Sequence, residues 1–211
     1  MRNAKITLAV GLALTAAAIA VVLSRSPLVV AGGNSVPPKL DAELVKGGVG
    51  SCQPAARIPS GTSAVRIAIE ARAVGPGVSV KILSGSRVLS GGRQVAGWGA
   101  APNVTVPIER FDRPVTGAHI CVAIGPTVEP FRFRGTAAHP LKGGVGKLSD
   151  VTLRMEYLRA DNKSWWSLAS SIGYHMGLGR AAGGAWIAFL VLALMLAVTA
   201  LTTLLAVREL R

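Results

Sequence analysis

The stretch Ser63-Ala64-Val65-Arg66-Ile67-Ala68-Ile69-Glu70-Ala71 decides the fold class. Val65, Ile67 and Ile69 alternate with Arg66, Ala68 and Glu70. A period of two suits a strand with one buried face, because successive side chains leave the pleat on opposite sides. The pattern returns at Val78, Val80 and Ile82, at Val104, Val106 and Ile108, and at Ile120, Val122 and Ile124. It returns again at Phe131 and Phe133, and at Val151, Leu153, Met155 and Tyr157. Residues 40–45 and 87–89 are weaker candidates. Turn-forming clusters separate these runs, among them Gly75-Pro76-Gly77, Gly91-Gly92 and Gly125-Pro126. Roughly eight short strands punctuated in this way predict an antiparallel β-sandwich, of which a jelly roll is one form.

Outward from this β region, the chain turns apolar at both ends. Its mean hydropathy is +0.47, and the excess is concentrated in Ile6–Leu23 and Ala185–Val207, which carry no charge. At 1.5 Å per helical residue these runs reach about 27 Å and about 35 Å, against a hydrocarbon core of roughly 30 Å. They predict two transmembrane helices, at 6–23 and 185–207. Arg2 and Lys5 before the first run, and Arg208 and Arg211 after the second, place the tails 1–5 and 208–211 in the cytoplasm. The expected localisation is a double-pass plasma-membrane protein with an extracytoplasmic β domain at 39–160, after a Gly/Pro-containing linker at 24–38. The first run also reads as a secretory signal with a cleavage site near Val29-Val30-Ala31, and both readings stay open.

Cys52 and Cys121 are the two cysteines of the chain. An even count in an exported segment predicts a disulfide. Closing a loop of about 70 residues is worth roughly 4 kcal/mol in the chain-entropy model. Cys121 shares a strand face with His119 and Ala123, opposite Ile120, Val122 and Ile124. The bridge is therefore expected on an outer face or a loop and not across the core.

After the β region, Trp165, Leu168, Ala169, Ile172 and Met176 fall at helical spacing, with Ser164 available as a cap. Residues 161–180 thus predict a short juxtamembrane helix and hinge. Trp165, Trp166 and Tyr174 would sit at headgroup level, where amphipathic rings are favoured.

Catalytic chemistry has little support. His119, His139 and His175 are isolated, without the spacing a metal site needs. No GxSxG elbow is present, and Asp41 with Glu43 is no acid/base signature by itself. Lys142-Gly143-Gly144-Val145-Gly146-Lys147 lacks the first glycine and the final Ser/Thr of a phosphate loop, since Leu141 and Leu148 occupy those places. KGGVG also occurs at 46–50, which the abundance of glycine explains. No motif implies a cofactor, a metal or a catalytic residue.

Charge is the more telling property. Residues 24–184 hold 19 Lys/Arg and 9 Asp/Glu, a net charge of +10. Arg66, Lys81, Arg132, Arg134 and Arg154 fall on polar strand faces and form the candidate anion-facing set. Such a field attracts lipid headgroups, an anionic envelope polymer or an acidic protein, or serves solubility alone. Nucleic acid is not expected, because aromatic stacking platforms are scarce. Trp98, between Gly97 and Gly99, reads as a loop residue folded onto the core in preference to a sugar platform.

Ser51-Cys52-Gln53-Pro54, His119-Ile120-Cys121-Val122 and Glu156-Tyr157-Leu158-Arg159 together resemble elements of a group of uncharacterised actinobacterial envelope proteins. Ser164-Trp165-Trp166-Ser167-Leu168 and Gly177-Leu178-Gly179 extend that resemblance, which covers most of 35–207. It implies an anchored exported domain and supplies no catalytic residues. The expectation is a non-enzymatic accessory or scaffold protein whose partners are the lipid bilayer and another envelope component. The alternative is a binding module for an anionic glycan or lipid headgroup; an extracytoplasmic enzyme is the third and weakest reading.

Overall fold

The computed structural model describes residues 2–37, 40–44, 49–127, 130–137, 151–173, 190 and 193–201. The chain divides into two compact units, Leu28–Ala160 and the two flanks Met1–Pro27 with Asp161–Arg211.

The unit Leu28–Ala160 is built from antiparallel strands in three sheets. Sheet I has the order β1 (Leu28–Gly33), β12 (Met155–Ala160), β4 (Thr62–Ile67) and β8 (Val104–Pro107). In sheet II, β10 (Phe131–Ala137) lies between β11 (Val151–Leu153) and β2 (Leu40–Leu44), and β5 (Ile69–Ala71) also pairs with β10. Sheet III runs β3 (Val49–Ile58), β9 (Val115–Ile124), β6 (Val78–Ser84) and β7 (Arg87–Gln94). Inward side chains from all three sheets enter one continuous core, in which Tyr157, Phe131, Phe133, Ile67, Ile82 and Ile120 are fully buried. The alternation seen in the sequence thus becomes a sandwich-like β fold.

Two predicted strands are each split between sheets. The run beginning at Val65 breaks at Ala68, leaving β4 in sheet I and β5 in sheet II. The run 151–157 breaks at Arg154, leaving β11 in sheet II and β12 in sheet I. Alternation of side chains does not reveal such a break, because it continues through the corner. The backbone groups freed there must still find partners. Ala68 N–H donates to the Arg154 carbonyl at 3.2 Å, Arg154 N–H to Arg134 at 3.0 Å, and Arg134 N–H to Ala68 at 3.0 Å. These three bonds close a ring where the sheets diverge.

Two side-chain amides complete the junction. Gln53, 5% exposed, donates from Nε2 to the Leu153 carbonyl at 2.9 Å, and its Oε1 accepts the Leu153 N–H at 2.8 Å. The Asn34 Nδ2 also donates to the Leu153 carbonyl, at 2.6 Å, while its Oδ1 accepts the Met155 N–H at 3.0 Å. Close by, a Cβ at Gly135 would fall on the carbonyl of Thr152, so only glycine fits between β10 and β11.

Strands β1 and β3 lie outside the strongest periodic runs. β1 forms from residues read as linker and pairs with β12, so the β unit begins at Leu28. β3 escapes the pattern because the residues it buries include Gln53 and Ala55 beside Ile58, a polar and small set.

The reading of the ends requires correction. Helix α1 runs Arg2–Ser24 and takes in Arg2 and Lys5, which the sequence reading placed in a separate tail. Of 185–207, the described residues are 190 and 193–201, which are helical. Among the described residues no helix is long and apolar enough to cross a membrane. The two spanning helices at 6–23 and 185–207, and with them the double-pass plasma-membrane localisation, are therefore withdrawn. Charge-free runs rich in Ala and Leu favour helix through propensity, and helix formation by itself does not establish a membrane span.

Helix α2 (Trp165–Gly173) begins directly after Ser164, whose carbonyl accepts the Leu168 N–H at 3.2 Å and the Ser167 hydroxyl at 2.8 Å. The chain before it is tied back to the end of α1, with Asp161 N–H donating to the Pro27 carbonyl at 2.8 Å and Trp165 N–H to Arg25 at 3.2 Å.

The junction gives a stability test. Gln53→Leu fills similar space but leaves the Leu153 N–H without its partner in a buried setting and removes one of two donors to its carbonyl. The expected cost is about 2–4 kcal/mol, read as a lower urea midpoint for the full-length protein with an unchanged m value. A midpoint equal to wild type would show that the amide does not carry the junction.

Candidate functional site

The basic residues of the β unit fall into two groups with opposite surroundings. On sheets I and II, Arg66, Arg132, Arg134 and Arg154 lie beside carboxylates, while Arg159 on β12 stands opposite Val29 and Thr62. Arg66 donates from Nε to Glu156 Oε2 at 2.8 Å and makes a second bond to the same oxygen through its Nη2. Arg154 reaches Glu156 Oε1 at 3.1 Å, and Arg134 lies 3.6 Å from Glu70. Register sets Arg132 opposite Glu70 on β5, and opposite Glu43 on β2. Burial pushes the Glu156 carboxyl up, but the hydrogen bonds and charges of Arg66 and Arg154 outweigh it and hold the group below its ordinary value.

Sheet III differs. Its four strands contain Arg57, Lys81, Arg87 and Arg93 and no aspartate or glutamate. Arg87 stands at the β6–β7 hairpin tip. The other three, with His119, are exposed and occupy one strand each: Arg93 on β7, Lys81 on β6, His119 on β9 and Arg57 on β3. Pairing fixes their positions. Arg93 lies opposite Ser79, Lys81 opposite Cys121, and His119 opposite Leu83 and Pro54. Arg57 lies opposite Thr116, just past Gly117, whose φ of 65° changes which residues of β9 face outward. Buried Ala118 and exposed Thr116 mark that change.

These four residues form a diagonal stripe. With strands about 4.8 Å apart and a rise of about 3.4 Å per residue, Arg93 to Lys81 and Lys81 to His119 are each about 8 Å between Cα atoms. His119 to Arg57 is about 11 Å on the same lattice. The ground between them is low, since Gly50, Gly91, Ser79 and Ala123 share the outer face. Among the described residues between them on this face, none is larger than Leu83, so an extended ligand can approach the backbone closely.

The disulfide lies within this face. Cys52 and Cys121 are direct register partners on β3 and β9 and are bonded to each other, with Cα atoms 3.9 Å apart. Cys52 is exposed and Cys121 half-buried, so the bridge is on the outer side, as the strand parity requires.

Of the anion-facing set read from the sequence, Lys81 alone belongs to this sheet. Arg66 and Arg154 converge on Glu156 in sheet I and at its corner, and Arg132 and Arg134 flank Glu70 in sheet II. Arg57 and Arg93 were missed for a definite reason. Arg57 lies on a strand without an apolar pattern, and Arg93 lies beyond the end of the weak 87–89 run.

Trp98 is folded back. Its Nε1 donates to the Pro76 carbonyl at 2.8 Å, and the ring packs against the core over Gly75. Trp165 and Trp166 open α2, and the interface role given to them depended on the withdrawn span. Tyr174, His139, His175 and the segment 142–147 lie outside the described residues. Among the described residues, no three His, Cys, Asp or Glu side chains gather as a metal site would require.

One cleft competes with sheet III as a site. It has a volume of about 380 Å³ and lies between Asn34–Pro37 and Arg154–Glu156. Three of its polar side chains are committed elsewhere: Arg154 and Glu156 bond each other, and the Asn34 amide serves the junction.

No protein-family model matches the chain, and no curated protein matches it.

The lowered Glu156 pKa has a pH signature. The folded state favours ionised Glu156, so its contribution is complete above the ordinary glutamate value of about 4.3 and fades as pH falls through the lower folded value. Glu156→Gln is expected to destabilise the protein at pH 7, with the gap to wild type narrowing towards pH 3 in urea midpoints measured against pH. A gap that stays constant over that range would exclude this role.

Proposed function

We propose that the β unit is a non-enzymatic accessory module that holds an anionic partner on the outer face of sheet III. The observation that carries this reading is the separation of charge: the acid-paired arginines lie on sheets I and II, whereas sheet III places Arg57, Lys81 and Arg93 on an outer face without a carboxylate in its strands. A cation surrounded by acids contributes little field at a distance. Cations on an acid-free sheet add their fields and concentrate counter-ions over it. The disulfide and four paired strands make the face rigid, which lowers the entropy lost when a ligand is ordered against it. An accessory role fits this arrangement because a flat, stiff face is suited to holding and not to enclosing a reacting group.

The reading is tested by the salt needed to elute full-length protein from an immobilised sulfated polyanion. Arg57→Glu, Lys81→Glu and Arg93→Glu combined are expected to lower that salt concentration sharply. Arg110→Glu, Arg113→Glu and Arg159→Glu combined make the same change in net charge from outside sheet III, and should lower it far less. Equal losses in the two variants would mean that net charge alone is responsible, and the face would lose its role.

A further inference from the structure

Resting on that reading, we infer that the partner is a linear polyol chain linked by phosphodiesters, laid diagonally across sheet III from Arg93 to Arg57. Three features of the face select this chemistry. Arg93, Lys81 and Arg57, with the imidazole of His119 between the last two, form a line and not a cluster, one on each successive strand, while Arg87 stands apart at the hairpin tip, so the matching ligand is extended. Their spacing is wide, about 8 to 11 Å. Spacing alone does not separate this chain from nucleic acid, whose sugar–phosphate repeat also has roughly six backbone bonds, but nucleic-acid bases would find no aromatic platform on this face. A glycerol phosphate repeat has roughly six backbone bonds, twice those of an amino-acid residue, and so extends about 7 Å. Successive phosphates of such a chain can therefore meet successive basic residues.

The third feature is what lies between the cations. Ser79, Ala123, Gly50, Gly91, Pro54, Leu83 and the Cys52–Cys121 bridge offer no aromatic ring to the outer face. Sugar rings gain from aromatic platforms; an open polyol has no ring to stack and loses nothing by their absence. The low profile of these residues lets a thin chain lie close, where guanidinium and ammonium groups reach phosphate oxygens. Arginine at both ends suits phosphate, which its planar fork contacts through two parallel bonds.

The test titrates full-length protein calorimetrically with glycerol 1-phosphate and with poly(glycerol phosphate) fractions of increasing length. Affinity should be negligible for the monomer, climb with length, and level off once the chain spans the stripe, at roughly four repeats. Lys81→Glu, at an exposed position inside the stripe, should weaken binding about tenfold or more, and Arg93→Glu should do the same independently. Arg113→Glu should change it less than about threefold. Affinity independent of length, or equal losses from Lys81→Glu and Arg113→Glu, would overturn the inference. Tighter binding to hyaluronan, or to phosphatidylglycerol vesicles, than to the free phosphodiester polymer would also overturn it, yet leave the anion-binding reading of the face intact. Failure of every one of these anionic probes to bind would remove both.

Discussion

The β unit depends on one constraint: a strand that leaves one sheet for another must keep its buried backbone groups paired. Leu153, Arg154 and Met155 sit where β11 ends and β12 begins, and each N–H finds a partner, a side-chain amide for Leu153 and Met155 and the next rung of the β10–β11 register for Arg154. Gln53 serves Leu153, the carbonyl of Arg134 serves Arg154, and Asn34 serves Met155. An unpaired buried group costs about 1–3 kcal/mol, so three together would consume much of the stability of a domain of this size. The ring of Ala68, Arg134 and Arg154 then allows β4 and β5 to turn the same corner beside β11 and β12. Sheets I and II are in this sense two wings of one folded layer, joined where their strands run on.

The same corner organises the charges. Ala68 precedes β5, which carries Glu70; Arg134 lies at the centre of β10; Arg154 stands two residues before Glu156. Bringing these strands together places arginines and glutamates within ion-pair reach on the outer side of the junction. Several are partly exposed, so the pairs contribute modestly to stability, but they cancel one another's field. Sheet III enters this corner only through the inward amide of Gln53, and its strands carry no acid. The electrostatic contrast between the sheets is thus a consequence of where the strands cross and not only of composition.

The sequence made the apolar half of the fold legible. Every strand that buries Val, Ile or Phe at alternate positions left a period of two, and β6, β8, β9 and β10 lie within the runs it marked or extend them. What it hid follows from chemistry that alternation does not record. A corner at Ala68 or Arg154 leaves the pattern unbroken. β3 buries an amide, and β1 begins in a Gly-containing stretch that resembles a linker. The anion-facing set was read from polar positions alone, whereas field depends on the neighbours brought in from other strands. Lys81 and Arg66 look alike in sequence; register puts one beside a disulfide and the other beside Glu156. At the ends, the charge-free run 6–23 lies within helix α1, but among the described residues no helix is long and apolar enough to cross a membrane.

The position of the disulfide connects these threads. Strand β3 is an edge strand of sheet III, and among its described side chains those buried are Gln53, Ala55 and Ile58, a less apolar set than Val or Ile at each position would give. Hydrophobic stabilisation scales with apolar area removed from water, so β3 is held less by its core contacts than β6 or β9. Two other attachments make up the difference, the Gln53 amide on the inner side and the Cys52 bridge on the outer side. A bridge between Cys52 and Cys121, 69 residues apart, restricts the unfolded chain wherever it lies in the fold. Between register partners it also forbids β3 from slipping along β9. A slip of one residue would turn Gln53 outward, break the junction at Leu153, and move Arg57 out of line with His119 and Lys81. The covalent bond on the exposed face and the amide in the core therefore enforce the same register, on which both the corner of the fold and the line of basic residues depend.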